Sequence, residues 1–163
     1  MGGGYPELYG RQLSENKAMR TAVRQAAEAG MPLLAECGGF MYLHQTMEDS
    51  AGNSWPMAGV IPGACRPTPR LRRFGYVELT ARRDTVLGPA GQRIRAHEFH
   101  YWSSDACGDA FRAEKPVSGR AWACIHSRGN LLAGYPHLYF YNNIECAAGF
   151  VRAACEYQRN EEK

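Results

Sequence analysis

The residues with the clearest capacity for covalent chemistry are Cys37 and its neighbours in the run MPLLAECGGFMYL, residues 31–43. Residues 31–35 carry few polar atoms and predict a short buried strand, while Phe40, Met41, Leu43 and Met47 recur at helical spacing. A strand that turns sharply into a helix needs residues without a Cβ just past the turn, and Gly38 and Gly39 supply them. Cys37 would then stand at the carboxyl end of the strand, beside the first N–H groups of the helix. Those groups have no acceptor within the helix and carry the positive end of its dipole, which favours thiolate over thiol. A cysteine so placed is a candidate nucleophile, the counterpart of the serine elbow of hydrolases, although G-x-S-x-G itself is absent. The same residues also fit a buried, inert cysteine followed by a loop.

A cysteine nucleophile needs an imidazole to hold its proton and to protonate a leaving group, and His137 in GYPHLYF, residues 134–140, follows a strand end. Taken alone, a histidine there also fits a structural role. HEFHYW, residues 97–102, sets His97 and His100 three apart around Glu98, but it is not H-E-x-x-H. On a strand its two histidines face opposite sides, so no metal is assigned. The six cysteines, Cys37, Cys65, Cys107, Cys124, Cys146 and Cys155, include no C-x-x-C pair. Their wide, irregular spacing is read as reduced thiols in a cytoplasmic protein. No apolar run has the length to span a bilayer.

The elements that must position these residues fit a single domain over 163 residues. Hydrophobic content of 45% and the 9 Tyr and 6 Phe argue against disorder, and a net charge of +3 is too small to mark a nucleic-acid binder. The basic residues Arg66, Arg70, Arg72 and Arg73 cluster where a solvated loop is expected. Ser14 as a cap, with Ala18, Met19, Ala22, Val23 and Ala26 along one face and Gly30 as a stop, predicts a helix over 14–29. Helix, strand and helix in succession point to a parallel sheet, whose ligands sit at the strands' carboxyl ends, where Cys37 is. Residues 49–71 read as loop with a short strand near 57–61, and strands follow over 74–80, 93–96, 119–126 and 131–135. Several of these lie too close together for crossover helices, and SRGN at 127–130 reads as a hairpin turn, so the second half is expected to be antiparallel or mixed. A closing helix over 143–157 would bury Ala147, Phe150, Val151 and Ala154. The opening MGGGYPEL is loop chemistry of the kind that follows a strand, so the 163 residues are expected to be a piece cut from a longer chain. The strand over 31–35 would then keep an open edge inviting two copies to pair as a homodimer.

Five motifs in order, GGGYPEL at 2–8, AECGGFMYL at 35–43, RFGYVEL at 73–79, HEFHYW at 97–102 and GYPHLYF at 134–140, cover most of the chain. Together they resemble the glutamine amidotransferase domain of cobyrinic acid a,c-diamide synthase. The glutamate before the cysteine fits this family better than the sibling cobyric acid synthases, and nickel-sirohydrochlorin diamide synthases share the motifs. The resemblance implies an α/β fold, the flavodoxin-like three-layer sandwich of class I, triad-type amidotransferases, with a mixed sheet and its amino-terminal strands missing. It implies Cys37 as nucleophile, His137 as its base, and an oxyanion hole from Gly3, Gly4 and Gly38. Glu98 and His100 fall near the active-site rim. Tyr139 stands where this family commonly has histidine and other class I triads have glutamate, so a third triad member is not visible. The substrate implied is glutamine, with its ammonia passed to a synthetase domain of the same polypeptide that binds ATP, Mg²⁺ and the tetrapyrrole acceptor; no cofactor is expected on these residues. A cysteine hydrolase acting on peptides or small amides, and a docking module without catalysis, remain the alternatives.

Overall fold

A computed structural model describes residues 1–162. Helices α1 (Gly10–Glu15) and α2 (Lys17–Glu28) lead into strand β1 (Leu33–Glu36), followed by the short helix α3 (Gly38–Tyr42) and by β2 (His44–Glu48), β3 (Ser54–Pro56) and β4 (Ile61–Pro67). Long strands β5 (Arg73–Ala81) and β6 (Arg93–His100) precede β7 (Trp102–Ser104), β8 (Phe111–Glu114), β9 (Ala121–Cys124) and β10 (His126–Arg128). The chain then runs through β11 (Leu131–Gly134), β12 (His137–Leu138) and helix α4 (Ile144–Glu161). The class is α/β, with the strands in three sheets. β1 lies parallel to β11, which pairs antiparallel with β10. The antiparallel order β12-β6-β5-β8-β9 forms the second sheet, and β3-β2-β4-β7 the mixed third.

Two cores hold these sheets. One gathers Phe40, Leu43, Met47, Met57 and Ile61 under α3 and β1; the other gathers Leu79, Ile94, Phe111 and Leu132 against α4. α4 starts at Asn143, whose side chain accepts from Glu145 N, and buries Cys146 and Gly149. A Cβ on Gly149 would strike the Leu87 carbonyl, so glycine is what lets the helix backbone sit on that loop. The buried face is therefore rotated from the one expected: Phe150 packs inward, but Val151 is exposed.

The helix after Cys37 is shorter than its apolar spacing predicts, ending at Tyr42 and passing into β2 at His44. The carbonyls that a longer helix would use are already taken. Tyr42 O accepts from Ala58 N, Leu43 O from Val60 N and Ile61 N, and His44 O from Gly59 N. The strand expected near 57–61 is thus the loop that stops α3, and β3 and β4 flank it. The single helix expected over 14–29 breaks at Asn16, whose side chain accepts from Met19 N at 3.1 Å and starts α2. Ser14 instead lies inside α1 and donates to Arg11 O. The strand over 119–126 splits at Ile125, φ +66°, into β9 and β10 of different sheets. The edge of β1 expected to be open carries Met1: its amino group donates to Leu34 O at 2.8 Å, and Glu36 N donates to Met1 O at 3.0 Å.

Candidate active site

Cys37 occupies the turn between β1 and α3 with φ +49° and ψ −106°. A left-handed non-glycine backbone costs about 1–3 kcal/mol and persists only where its surroundings fix it. Here Cys37 N donates to Gly134 O at 2.8 Å, the last bond of the β1–β11 pair, and Cys37 O accepts from Met41 N at 3.0 Å. The sheet and the helix therefore hold the turn from both sides. Its thiol reaches Phe99 O of β6 at 3.9 Å.

The glycine loop closes on this turn. An added Cβ on Gly38 would lie 2.5 Å from Gly4 O, and one on Gly3 would lie 2.7 Å from Cε1 of His137. Gly39 N donates to Gly2 O at 3.1 Å. Gly3, Gly4, Cys37, Gly38 and His137, separated by up to 134 positions in the chain, thus meet at one point. Gly38 N–H, at the first position of α3, has no intrahelical acceptor and stays available as a donor.

His137 begins β12, opposite His97 of β6, and its side chain is 37% exposed. Its proton is held far more tightly than that of a free imidazole, with its pKa pushed up to about 10. The Cys37 sulfur is the larger influence and Glu36 the second. The ring is thus an imidazolium at neutral pH and surrenders its proton only as pH rises through about 10. Glu36, the last residue of β1, lies with Oε2 3.8 Å from His137 Nδ1, while its Oε1 accepts from Leu138 N at 2.9 Å. In the sequence this residue serves as a mark of the family and is given no role at the site. Its position just before the cysteine was visible there, but the register Glu36↔Gly134, which brings β1 beside the chain leading to His137, was not.

Glu98 and His100, expected near the rim, lie inside. Glu98 is fully buried, 3.9 Å from the Arg73 guanidinium, and its burial raises its carboxyl above the usual range. His100 stacks on Tyr135 with ring centroids 3.7 Å apart and Nδ1 against Trp102 O at 2.6 Å; burial lowers its pKa to about 4. Strand alternation explains the difference, because Phe99, between them, turns its backbone toward Cys37 and sends both neighbours into the core. The opposite face of β5 and β6 carries the edge-to-face aromatics Phe74, His97, Phe99 and Tyr76. A groove of about 920 Å³ runs along that face to His137, with Arg95, Lys115 and Tyr139 among its walls. Tyr139 is 56% exposed and turns toward Tyr141. The basic cluster is not uniformly solvated: Arg66 pairs with Asp105 at 2.8 Å, and Arg73 lies over the Trp122 ring at 4.5 Å.

All six cysteines are free thiols. Burial pushes Cys65 and Cys124 up to about 12 and raises Cys146, leaving these thiols protonated and unreactive. Among the described residues, no group of three His, Cys, Asp or Glu side chains is arranged to hold a metal ion.

A family model described as the CobB/CobQ-like glutamine amidotransferase domain matches residues 1–144. Among curated relatives, a cobyrinate a,c-diamide synthase of Caldanaerobacter subterraneus subsp. tengcongensis is 37% identical over 161 residues, covering 98% of this chain and 36% of the relative. Synthases of the same name from Fusobacterium nucleatum and Salmonella typhimurium are 41% and 40% identical, over 89% and 94% of this chain and 32% and 34% of their own lengths. The chain spans about a third of the length of these relatives.

Proposed function

The chain belongs to the CobB/CobQ-like glutamine amidotransferase domain family, and on that premise we propose that it hydrolyses glutamine with Cys37 as nucleophile and His137 as acid and base. The observation that carries this reading is the left-handed Cys37 turn, closed over by Gly3 and Gly4 and facing an imidazolium. The Cys37 thiolate attacks the side-chain amide carbon of glutamine. The resulting oxyanion is met by Gly38 N–H and the Gly3–Gly4 loop, each donor of this kind being worth roughly 10²–10³ in rate. As the tetrahedral species collapses, the C–N bond breaks and His137 Nε2–H passes its proton to the departing nitrogen, releasing ammonia. A γ-glutamyl thioester remains on Cys37. His137, now neutral, takes a proton from water as that water attacks the thioester, and glutamate leaves with the thiolate–imidazolium pair restored.

In the longer proteins that this chain resembles over a third of their length, the ammonia would pass to a synthetase domain that amidates the a and c carboxylates of cobyrinic acid, a step of corrin biosynthesis. ATP, Mg²⁺ and the tetrapyrrole belong on that domain. The residues described here offer no three-ligand metal cluster, and no step in this chain runs through those groups. No helix among the described residues is long and apolar enough to cross a membrane. The proposed setting, read from the free thiols, is the cytoplasm.

Glutamate release tests the reading. The 163-residue chain, alone and combined with a synthetase domain, is expected to release glutamate from free glutamine and to leave model peptides and other small amides intact. Release from peptides but not glutamine would make it a hydrolase of another class, and no release from either, with or without the synthetase domain, would leave a docking module.

A further inference from the structure

We infer that Glu36 is the positioning residue of this site, supplying from the strand before the nucleophile the third member that its histidine otherwise lacks. The inference rests on the glutaminase reading for its consequence, but on separate observations for its geometry. The position two residues after His137, where other triads keep an acid or a second histidine, is Tyr139, whose ring is exposed and turned to Tyr141. Glu36 stands elsewhere in the chain but beside the ring, with Oε2 3.8 Å from Nδ1. That leaves Nε2 as the nitrogen for the Cys37 sulfur.

The second oxygen of Glu36 is already committed. Oε1 accepts from Leu138 N at 2.9 Å, fixing the backbone immediately after the histidine. One carboxylate therefore holds both the main chain and the ring of the His137 segment, and the ring's Cε1 edge is closed by the Gly3 backbone. With Oε2 at ion-pair distance, a shift of under 1 Å closes the Nδ1–H to Oε2 hydrogen bond, the kind of tightening seen when unliganded sites fill. The consequence is chemical as well as geometric. A negative charge behind Nδ1 favours the imidazolium, hence the thiolate–imidazolium pair, and fixes the tautomer that presents Nε2 to the reacting nitrogen. The other titratable groups near the ring do not share this part. His97 lies across the β12–β6 pair with its ring among Phe74 and Tyr76, and His100 is buried against Tyr135.

Glu36→Gln separates charge from structure, since its amide oxygen can still accept from Leu138 N. The experiment follows the His137 ring by NMR and the rate of Cys37 alkylation by iodoacetamide across pH, in the 163-residue chain. In Glu36→Gln the His137 midpoint is expected to fall by about one unit, and alkylation at neutral pH to slow several-fold, with Glu36→Asp recovering part of both. Glutamine turnover is expected to lose kcat with KM little changed. Independently of any variant, the Glu36 carboxyl carbon of the wild-type chain should report an inflection at the His137 midpoint. A folded Glu36→Gln with unchanged His137 titration and unchanged alkylation, or a wild-type Glu36 signal blind to His137, would overturn the inference. Coupling of Glu36 to His137 without any glutamine hydrolysis would leave the pair standing and remove the glutaminase reading instead.

Discussion

Cys37→Ser is expected to lower glutamine hydrolysis by more than ~10³-fold while leaving the fold intact, the size of loss seen when a nucleophile acting as part of a unit is removed. Serine has no route to recover it. The imidazole at this site keeps its proton until about pH 10. A hydroxyl would need a neutral imidazole to take its proton at neutral pH, and such an imidazole is scarce there. Serine is smaller than cysteine and tolerates the same left-handed turn, and the backbone bonds from Cys37 N to Gly134 O and from Met41 N to Cys37 O do not involve the side chain. Glutamate release measured beside a thermal melt checks both parts: activity falls and the melting temperature stays within a few degrees.

Gly38→Ala is expected to be the second largest effect, because one methyl group reaches both the fold and the chemistry. Its Cβ would stand 2.5 Å from Gly4 O and 2.9 Å from Gly4 C and N, all backbone atoms that cannot swing aside like a side chain. Either the glycine loop lifts off the turn or α3 shifts. Overpacking of this kind typically costs about 1–3 kcal/mol. A lifted loop also takes Gly3 from beside His137 and spoils the oxyanion donors, so hydrolysis is expected to fall by about 10² or more. Gly2→Ala is the control, since a Cβ there meets nothing within 4 Å. Denaturant unfolding and glutamate release on both variants check the contrast: Gly38→Ala loses stability and rate together, and Gly2→Ala keeps both.

What the sequence disclosed follows from what is local. The Cys-Gly-Gly turn was legible because strand, elbow and helix start lie within a few residues, and its positive φ is forced there. The hairpin turn at 127–130 and the closing helix were legible for the same reason. The end of α3 was not, because Phe40, Leu43 and Met47 bury equally well on a helix or on a helix followed by a strand. The choice is made by N–H groups of residues 58–61, which hold the carbonyls of residues 42–44. Glu98 and His100 were placed at the rim because their motif borders the site, and only the alternation of β6 decides that it borders the site with its backbone. Glu36 marked the family but was given no role at the site for a related reason: its partner lies 101 positions on and meets it only through the β1–β11 register.

Treatment with 6-diazo-5-oxo-norleucine, a glutamine-shaped electrophile, followed by peptide mapping of all six cysteines tests the central claim most directly. Cys65, Cys124 and Cys146 are protonated and shielded, Cys155 is exposed on the closing helix α4, away from the elbow, and Cys107 hydrogen-bonds Ser104 O at 3.5 Å. Cys37 alone among them combines a helix start with a facing imidazolium. The account predicts one adduct, on Cys37, suppressed by excess glutamine and lost in Cys37→Ser. Equal modification of several cysteines, or labelling unchanged in Cys37→Ser, would contradict it.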